Sequence, residues 1–124
     1  TALVESHGTI VGLASLFFAG RLKAEAEAAG YSYRGAMGAA GVLSAVAKEL
    51  PLAIFLDLSK EDVDFESIVK QLKGDEDTKS IPIVAFTGHV NTEELARASD
   101  WGCIATTNGA VSADFAGTLA RALG

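Results

Sequence analysis

The chain has 124 residues, of which 49% are hydrophobic and 21% charged, and its formal net charge is -6. This length fits one domain with a proper core, and the composition lacks the low hydrophobicity of disordered segments. Nucleic acids and anionic lipids attract clustered Lys and Arg, so the acidic balance argues against both as partners. The single cysteine, Cys103, excludes an internal disulfide framework and indicates a reducing cytoplasm. We see neither a membrane-spanning apolar run nor a secretory leader.

The chain begins with a segment that is hard to place and then becomes regular. Residues 1–8 predict an N-terminal arm or an extra strand, and residues 9–124 predict the folded domain. A short buried strand is predicted over residues 9–13, and Ser15 is a candidate N-cap for the first helix. The predicted packing face of that helix, which Gly30 ends, consists of Leu16, Phe17, Gly20, Ala24 and Ala28.

An outer strand and a small-residue helix are predicted next. Residues 31–37 alternate and carry two tyrosines, which is typical of a strand at the side of a sheet. Residues 38–50 predict a second helix, ended by Pro51. Its predicted apolar face consists of Val42, Leu43, Val46, Ala47 and Leu50. The glycines at 35, 38 and 41 follow the second strand and not the first, so close helix packing explains them better than a dinucleotide-binding loop.

An unbroken apolar run over residues 52–56 leads directly to Asp57. Such a run is typical of a parallel strand covered on both faces, and ligands of open α/β sheets bind beyond the carboxyl ends of these strands. Asp57 is therefore the first candidate functional residue. The alternative is that Asp57 only caps the turn that follows.

The loop after Asp57 is acidic and leads into a helix over residues 65–74. The apolar residues predicted to pack from this helix are Phe65, Ile68, Val69 and Leu72. Asp62 and Asp64 could join Asp57 around a cation. Carboxylates at the start of a helix are also favoured by its dipole, so a purely structural role remains open for both.

The last two units repeat the pattern. Residues 81–87 predict a buried strand that ends in the hydroxyl of Thr87, and a helix follows with Leu95, Ala98 and Trp101 on its packing face. Residues 103–107 predict a fifth strand, and a final helix begins at about Ser112. Five strand–helix units with right-handed crossovers predict an α/β fold, a three-layer (βα)5 sandwich around a five-stranded parallel sheet.

With Asp57 ending the third strand and Thr87 the fourth, the chain from residue 9 onward resembles the receiver domain of two-component response regulators. The runs 83–89 and 102–103 also look like the surroundings usual in that family. The resemblance implies that Asp57 is the candidate phosphoacceptor, which would receive a phosphoryl group from a histidine kinase. It also implies that Thr87 is the candidate switch residue. Partners implied by it are a histidine kinase or an output domain, with a homodimer also open.

The chain departs from this family at two positions. Receivers hold Mg²⁺ with an acidic pair after the first strand, which falls here on or near Ala14 and Ser15. They also carry a Lys just past the fifth strand, where this chain has residues 107–110 without a Lys. Asp57 and Asp62 are the remaining candidate ligands for Mg²⁺. Phosphoryl transfer depends on neutralising charge, so these losses predict a degenerate, non-catalytic receiver that acts through protein contacts.

Two further hypotheses stay open. Asp57 could still be phosphorylated, with Asp62 or Asp64 recruited to hold the cation and Thr87 switching. A small nucleotide- or anion-binding enzyme ranks last, because no Gly-rich loop follows the first strand. His89 lies in the right loop to act as a base, but a lone loop histidine is more often solvated or structural.

By the resemblance, partner contacts are expected on the last two helices and the fifth strand. Residues in or beside that region are Trp101, Cys103, Thr106 and Phe115. For Trp101 and Phe115 the alternative is a place in the core.

Overall fold

The computed structural model describes residues 8–88 and 90–124, so the predictions for residues 1–7 and for His89 lie outside the described residues. Five strands alternate with helices along the chain. The strands are β1 (Thr9–Leu13), β2 (Ser32–Ala36), β3 (Ala53–Asp57), β4 (Ile83–Thr87) and β5 (Ile104–Thr107). The helices are α1 (Leu16–Ala28), α2 (Ala39–Lys48), α3 (Phe65–Gly74), α4 (Thr92–Asp100), α5 (Asn108–Ala113) and α6 (Phe115–Leu123).

All strand pairs are parallel, and the sheet order is β2-β1-β3-β4-β5. The central strands β1, β3 and β4 are buried along their whole length, as continuous apolar runs predict for a sheet covered on both faces. The outer strand β2 is mostly exposed, which confirms its predicted place at the side of the sheet. The predicted (βα)5 three-layer sandwich is confirmed.

The core has two layers, one on each face of the sheet. On one face, α2, α3 and α4 contribute side chains such as Val42, Ile68 and Ala98. On the other face, α1, α5 and α6 cover the sheet with side chains that include Leu22 and Phe115. Across residues 8–88 and 90–124, no helix has the length and apolarity needed to cross a membrane.

Three details of the helices differ from the prediction. Helix α1 buries Leu22 and Ala26, and in its first turn Phe18 packs on the sheet, with its ring centroid 5.1 Å from that of Phe86. The helix therefore turns a different face to the sheet, and the residues of the predicted face are all exposed, namely Leu16, Phe17, Gly20, Ala24 and Ala28. Leu50, predicted on the packing face of the second helix, follows the end of α2 and is exposed. The final helix starts at Asn108 instead of about Ser112, and Asp114 divides it into α5 and α6.

Candidate functional site

Asp57 lies at the carboxyl end of β3, between β1 and β4, and is only 3% exposed. Its carboxylate accepts four hydrogen bonds. Ser15 donates its backbone N–H and its hydroxyl to Oδ2 over 3.1 and 3.0 Å. Ser59 donates its backbone N–H and its hydroxyl to Oδ1 over 3.0 and 2.5 Å. Each carboxylate oxygen is therefore satisfied by two neutral donors.

The local chain path explains why these two serines reach Asp57. Ser15 occupies the N-cap position of α1 in an extended conformation, but its side chain does not cap the helix. It turns to the carboxylate instead, so the sequence-based prediction placed the residue correctly and missed its partner. The positive end of the α1 dipole also favours a negative charge there.

Ser59 follows Asp57 by two residues in a tight turn, in which the Lys60 N–H donates to the Asp57 carbonyl over 3.1 Å. Side chains of Asp commonly accept a hydrogen bond from the backbone two residues later. That preference is the sequence signal that could have identified Ser59. Asp57 therefore does cap the turn that follows it, which is the role that the alternative interpretation gave it.

Thr87 lies at the end of β4 and is 1% exposed. Asp57 is in register with Phe86, so Thr87 lies one residue further along the same edge. The side-chain amide of Asn91 donates to the Thr87 hydroxyl oxygen over 3.1 Å. The structure therefore brings both candidate residues to one edge of the sheet, with Asn91 bound to the threonine.

The end of β5 carries no basic side chain, since residues 103–114 contain neither Lys nor Arg. Thr107 accepts a hydrogen bond from the Ala110 N–H over 3.1 Å and so caps α5. The position at which receivers carry their Lys is thus used to start a helix.

The acids near Asp57 do not form a metal site with it in the structure. No three His, Cys, Asp or Glu residues within 8–88 and 90–124 are grouped so that they could hold a metal ion. Asp64 caps α3 by accepting from the Ser67 N–H over 3.1 Å. Asp62 is exposed and has a φ of 62°, and its predicted role as a ligand stays a prediction. Ala14 has no side-chain oxygen and no charge, so the residues present fit Mg²⁺ poorly.

Large apolar side chains are exposed around this edge of the sheet. Phe17 is 100% and Leu16 is 88% exposed at the start of α1. Met37 follows β2 directly, Val90 follows β4 by three residues, and both are about three-quarters exposed. Clusters of exposed apolar side chains are typical of protein-binding surfaces.

The residues predicted near the fifth strand have mixed environments. Phe115 and Cys103 are buried, which places both in the core. Trp101 is half-buried and packs against the core layer under α2, α3 and α4. Thr106 is half-buried on β5, the strand at the far side of the sheet from β2.

Burial also governs the titration of Cys103. Loss of solvent raises the pKa of its thiol to about 11, and the charge of Lys73 opposes that increase. The thiol is therefore protonated and unreactive at neutral pH.

No protein-family model and no curated protein sequence matches this chain. Solved structures do match it. A putative response regulator from Chloroflexus aurantiacus superposes with a TM-score of 0.84 at 19% identity, covering 94% of this chain and 97% of that one. Chemotaxis response regulator CheY4 of Vibrio cholerae gives 0.80 at 18% identity, with 93% and 98% covered.

NtrX from Brucella abortus gives a TM-score of 0.82 at 20% identity over 94% of this chain. The chain spans only 26% of the length of that protein. These likenesses show that the chain has the receiver-domain fold, which confirms the resemblance at the level of fold. Because all three identities are at or below 20%, function has to be argued from the site itself.

Proposed function

We propose that this chain is a receiver-like signalling module that works through protein contacts and does not depend on phosphorylation of Asp57. The observation that carries the proposal is the set of four neutral hydrogen bonds on the Asp57 carboxylate. Asp57 would then be a structural residue that ties the turn after β3 to the start of α1. The module would be non-catalytic and cytoplasmic.

The chemistry of phosphoryl transfer supports this role. The reaction is catalysed by positioning and by neutralising charge on the transferred group. At this site the positions of the acidic pair fall on Ala14 and Ser15, and the position of the Lys lies in the stretch 107–110, which has none. A nucleophilic carboxylate also needs a free lone pair, whereas each oxygen of Asp57 already accepts two hydrogen bonds. Transfer to Asp57 would therefore lack both its charge neutralisation and its free nucleophile.

The exposed apolar side chains at the same edge supply a contact surface. Phe17 and Leu16 extend from the first turn of α1 with almost no contact to the rest of the chain. Burying such side chains against a partner would stabilise the complex by about 1.5–3 kcal/mol each. By the receiver fold, a histidine kinase or an output domain is the expected kind of partner. A matching structure from Syntrophus aciditrophicus is described as the signal receiver domain of a histidine kinase.

A phosphorylatable receiver is the second candidate function. It is favoured by Asp57 at the end of β3 and by Thr87 one register position beyond it on β4. In this case, Ser15 and Ser59 would release the carboxylate, and Asp62 would help to hold Mg²⁺.

The intact mass of the full chain after incubation with acetyl phosphate and Mg²⁺ separates the two candidates. We expect no added phosphoryl group on the wild type or on Asp57→Ala. As a matched control, Ala14→Asp combined with Asn108→Lys places an acid and a lysine in the two stretches where receivers carry them. We expect this variant to accept a phosphoryl group more readily than the wild type. A phosphoryl group on the wild type that Asp57→Ala removes would overturn the proposal.

A further inference from the structure

A groove of about 410 Å³ lies between α2 and α3, away from Asp57. It is formed by the last turns of both helices. Because the helices run back from the carboxyl edge of the sheet, these turns lie toward its opposite edge. Any role of this groove is therefore separate from the chemistry of the Asp57 site.

The groove has an apolar floor and an apolar wall. Val46 and Leu72 form the floor and are nearly fully buried, at 2% and 3% exposure. Leu43 is half-buried, and Leu50 forms the wall with 58% of its surface exposed. Helix α2 carries one charged residue, Lys48, among its ten, whereas surface helices usually present a charged face to water. This side of the molecule therefore lacks the polar covering of an ordinary solvent-facing helix.

The rim of the groove is acidic and held in a fixed shape. Asp75 accepts a hydrogen bond from the Asp77 N–H through Oδ1 over 2.8 Å, and the Thr78 hydroxyl donates to the Leu72 carbonyl over 2.6 Å. In the part of the chain that the structure describes, neither Asp75 nor Asp77 forms an ion pair. The nearby Lys79 pairs with Glu76 instead, over 2.8 Å. No Lys or Arg is among the described lining residues. The rim thus presents two preformed negative charges beside an apolar floor.

We propose that this groove binds an amphipathic helix with a basic flank, contributed by a protein partner. Such a helix would place apolar side chains at positions i, i+3 or i+4, and i+7 on the floor. Its Lys or Arg side chains would lie against Asp75 and Asp77, where complementary charge sets orientation and partner choice. A second copy of the chain fits less well, because its net charge of -6 would be repelled by the rim.

The first test uses a fluorescein-labelled helical peptide with Leu at i, i+4 and i+7 and Lys on the flanking positions. Fluorescence anisotropy with the full chain measures its affinity, and a peptide with Glu in place of each Lys is the control. We expect the Lys peptide to bind and the Glu peptide to bind at least about tenfold more weakly. Equal affinities, or no binding of the Lys peptide, would overturn the proposal.

Variants locate the binding site. Leu50→Ser removes an exposed wall residue, and Asp75→Asn with Asp77→Asn neutralises the rim while preserving the acceptor at Asp75. We expect each change to weaken Lys-peptide binding by about tenfold or more. Leu123→Ser and Asp100→Asn are the matched controls, because both residues are exposed elsewhere, and they should leave the affinity unchanged.

Amide chemical shifts give an independent map of the bound peptide. We expect the changes to concentrate on the last turns of α2 and α3 and on residues 75–78. Changes centred on Leu16 and Phe17 would assign the peptide to the other edge of the sheet and overturn the proposal. A dimer of the free chain that Leu50→Ser abolishes would also overturn it, by identifying a second copy as the occupant.

Discussion

At the scale of single residues, Asp57 shows what an apolar run can predict and what it cannot. Its position at the end of a buried strand follows from the run 52–56, because continuous burial identifies a central parallel strand. Its partners do not follow, since Ser15 had a commoner role as a helix cap and lies 42 residues away in sequence. A hydrogen bond across that separation depends on the register of β1 against β3, which periodicity does not fix.

A second residue with an unusual environment is Tyr33 on β2. Its ring lies over Gly12 of β1, where an added Cβ would come within 2.7 Å of a ring carbon. Its hydroxyl is the one buried side-chain polar atom without a partner among the described residues, and burial raises the Tyr33 pKa to about 12. Gly12 is therefore required by the close approach of the tyrosine.

We expect Tyr33→Phe to raise the free energy of unfolding by about 1 kcal/mol, because a buried hydroxyl without a partner costs roughly 1–3 kcal/mol. Urea denaturation of the wild type and the variant measures the change. A lower stability of Tyr33→Phe would show instead that the hydroxyl forms a favourable hydrogen bond in solution.

The thiol of Cys103 predicts an alkaline loss of stability. Its pKa is about 11 in the folded chain, against an ordinary value of 9.0. The folded state therefore holds the proton more tightly, and this contribution is complete below pH 9 and is lost as the pH rises toward 11. We expect the wild type to lose up to about 2 kcal/mol more than Cys103→Ala over that range. Parallel pH profiles of unfolding free energy for the two proteins would contradict this expectation.

At the scale of elements, helical periodicity predicted the existence and order of the helices better than their faces. The four apolar residues predicted to pack from the third helix are all buried in α3, namely Phe65, Ile68, Val69 and Leu72. In α1 the prediction was wrong for the whole face, since Leu22 and Ala26 are buried and the five residues predicted to pack are exposed. Apolar residues occur on every side of this helix, so their spacing did not select one face. The start of α5 was missed because Asn108-Gly109 is typical of a turn.

The break between α5 and α6 depends on Asp114. Its Oδ1 accepts from the Gly117 N–H over 2.9 Å, and its carbonyl accepts from the Thr118 hydroxyl over 2.9 Å. We expect Asp114→Ala to lower the free energy of unfolding by about 1 kcal/mol through loss of the N-cap. Asp114→Asn keeps an acceptor and should stay close to the wild type in the same denaturation experiment. Equal losses in both variants would argue against a capping role.

At the scale of the whole molecule, the order of five strand–helix units was enough to predict the fold, because right-handed crossovers leave few topologies. The two edges of the sheet then have different surfaces. The carboxyl edge carries exposed apolar side chains and the buried Asp57, whose carboxylate accepts hydrogen bonds from neutral donors only. A groove with an acidic rim lies between α2 and α3 toward the other edge. Neither surface was predicted, because both depend on which face each helix turns to the sheet, and the spacing of apolar residues did not fix that for α1.

The most direct test of the structural role of Asp57 is the free energy of unfolding of the wild type and Asp57→Asn, each with and without Mg²⁺. An Asn places an N–H₂ group against the donors of Ser15 or Ser59, so we expect a loss of about 1–3 kcal/mol and no effect of Mg²⁺ on either protein. Asp100→Asn is the control for the change of charge. If Asp57→Asn is as stable as the wild type or more so, the hydrogen bonds to Asp57 do not stabilise the fold. If Mg²⁺ stabilises the wild type alone, Asp57 is an available metal ligand. Either result would contradict a purely structural role for Asp57.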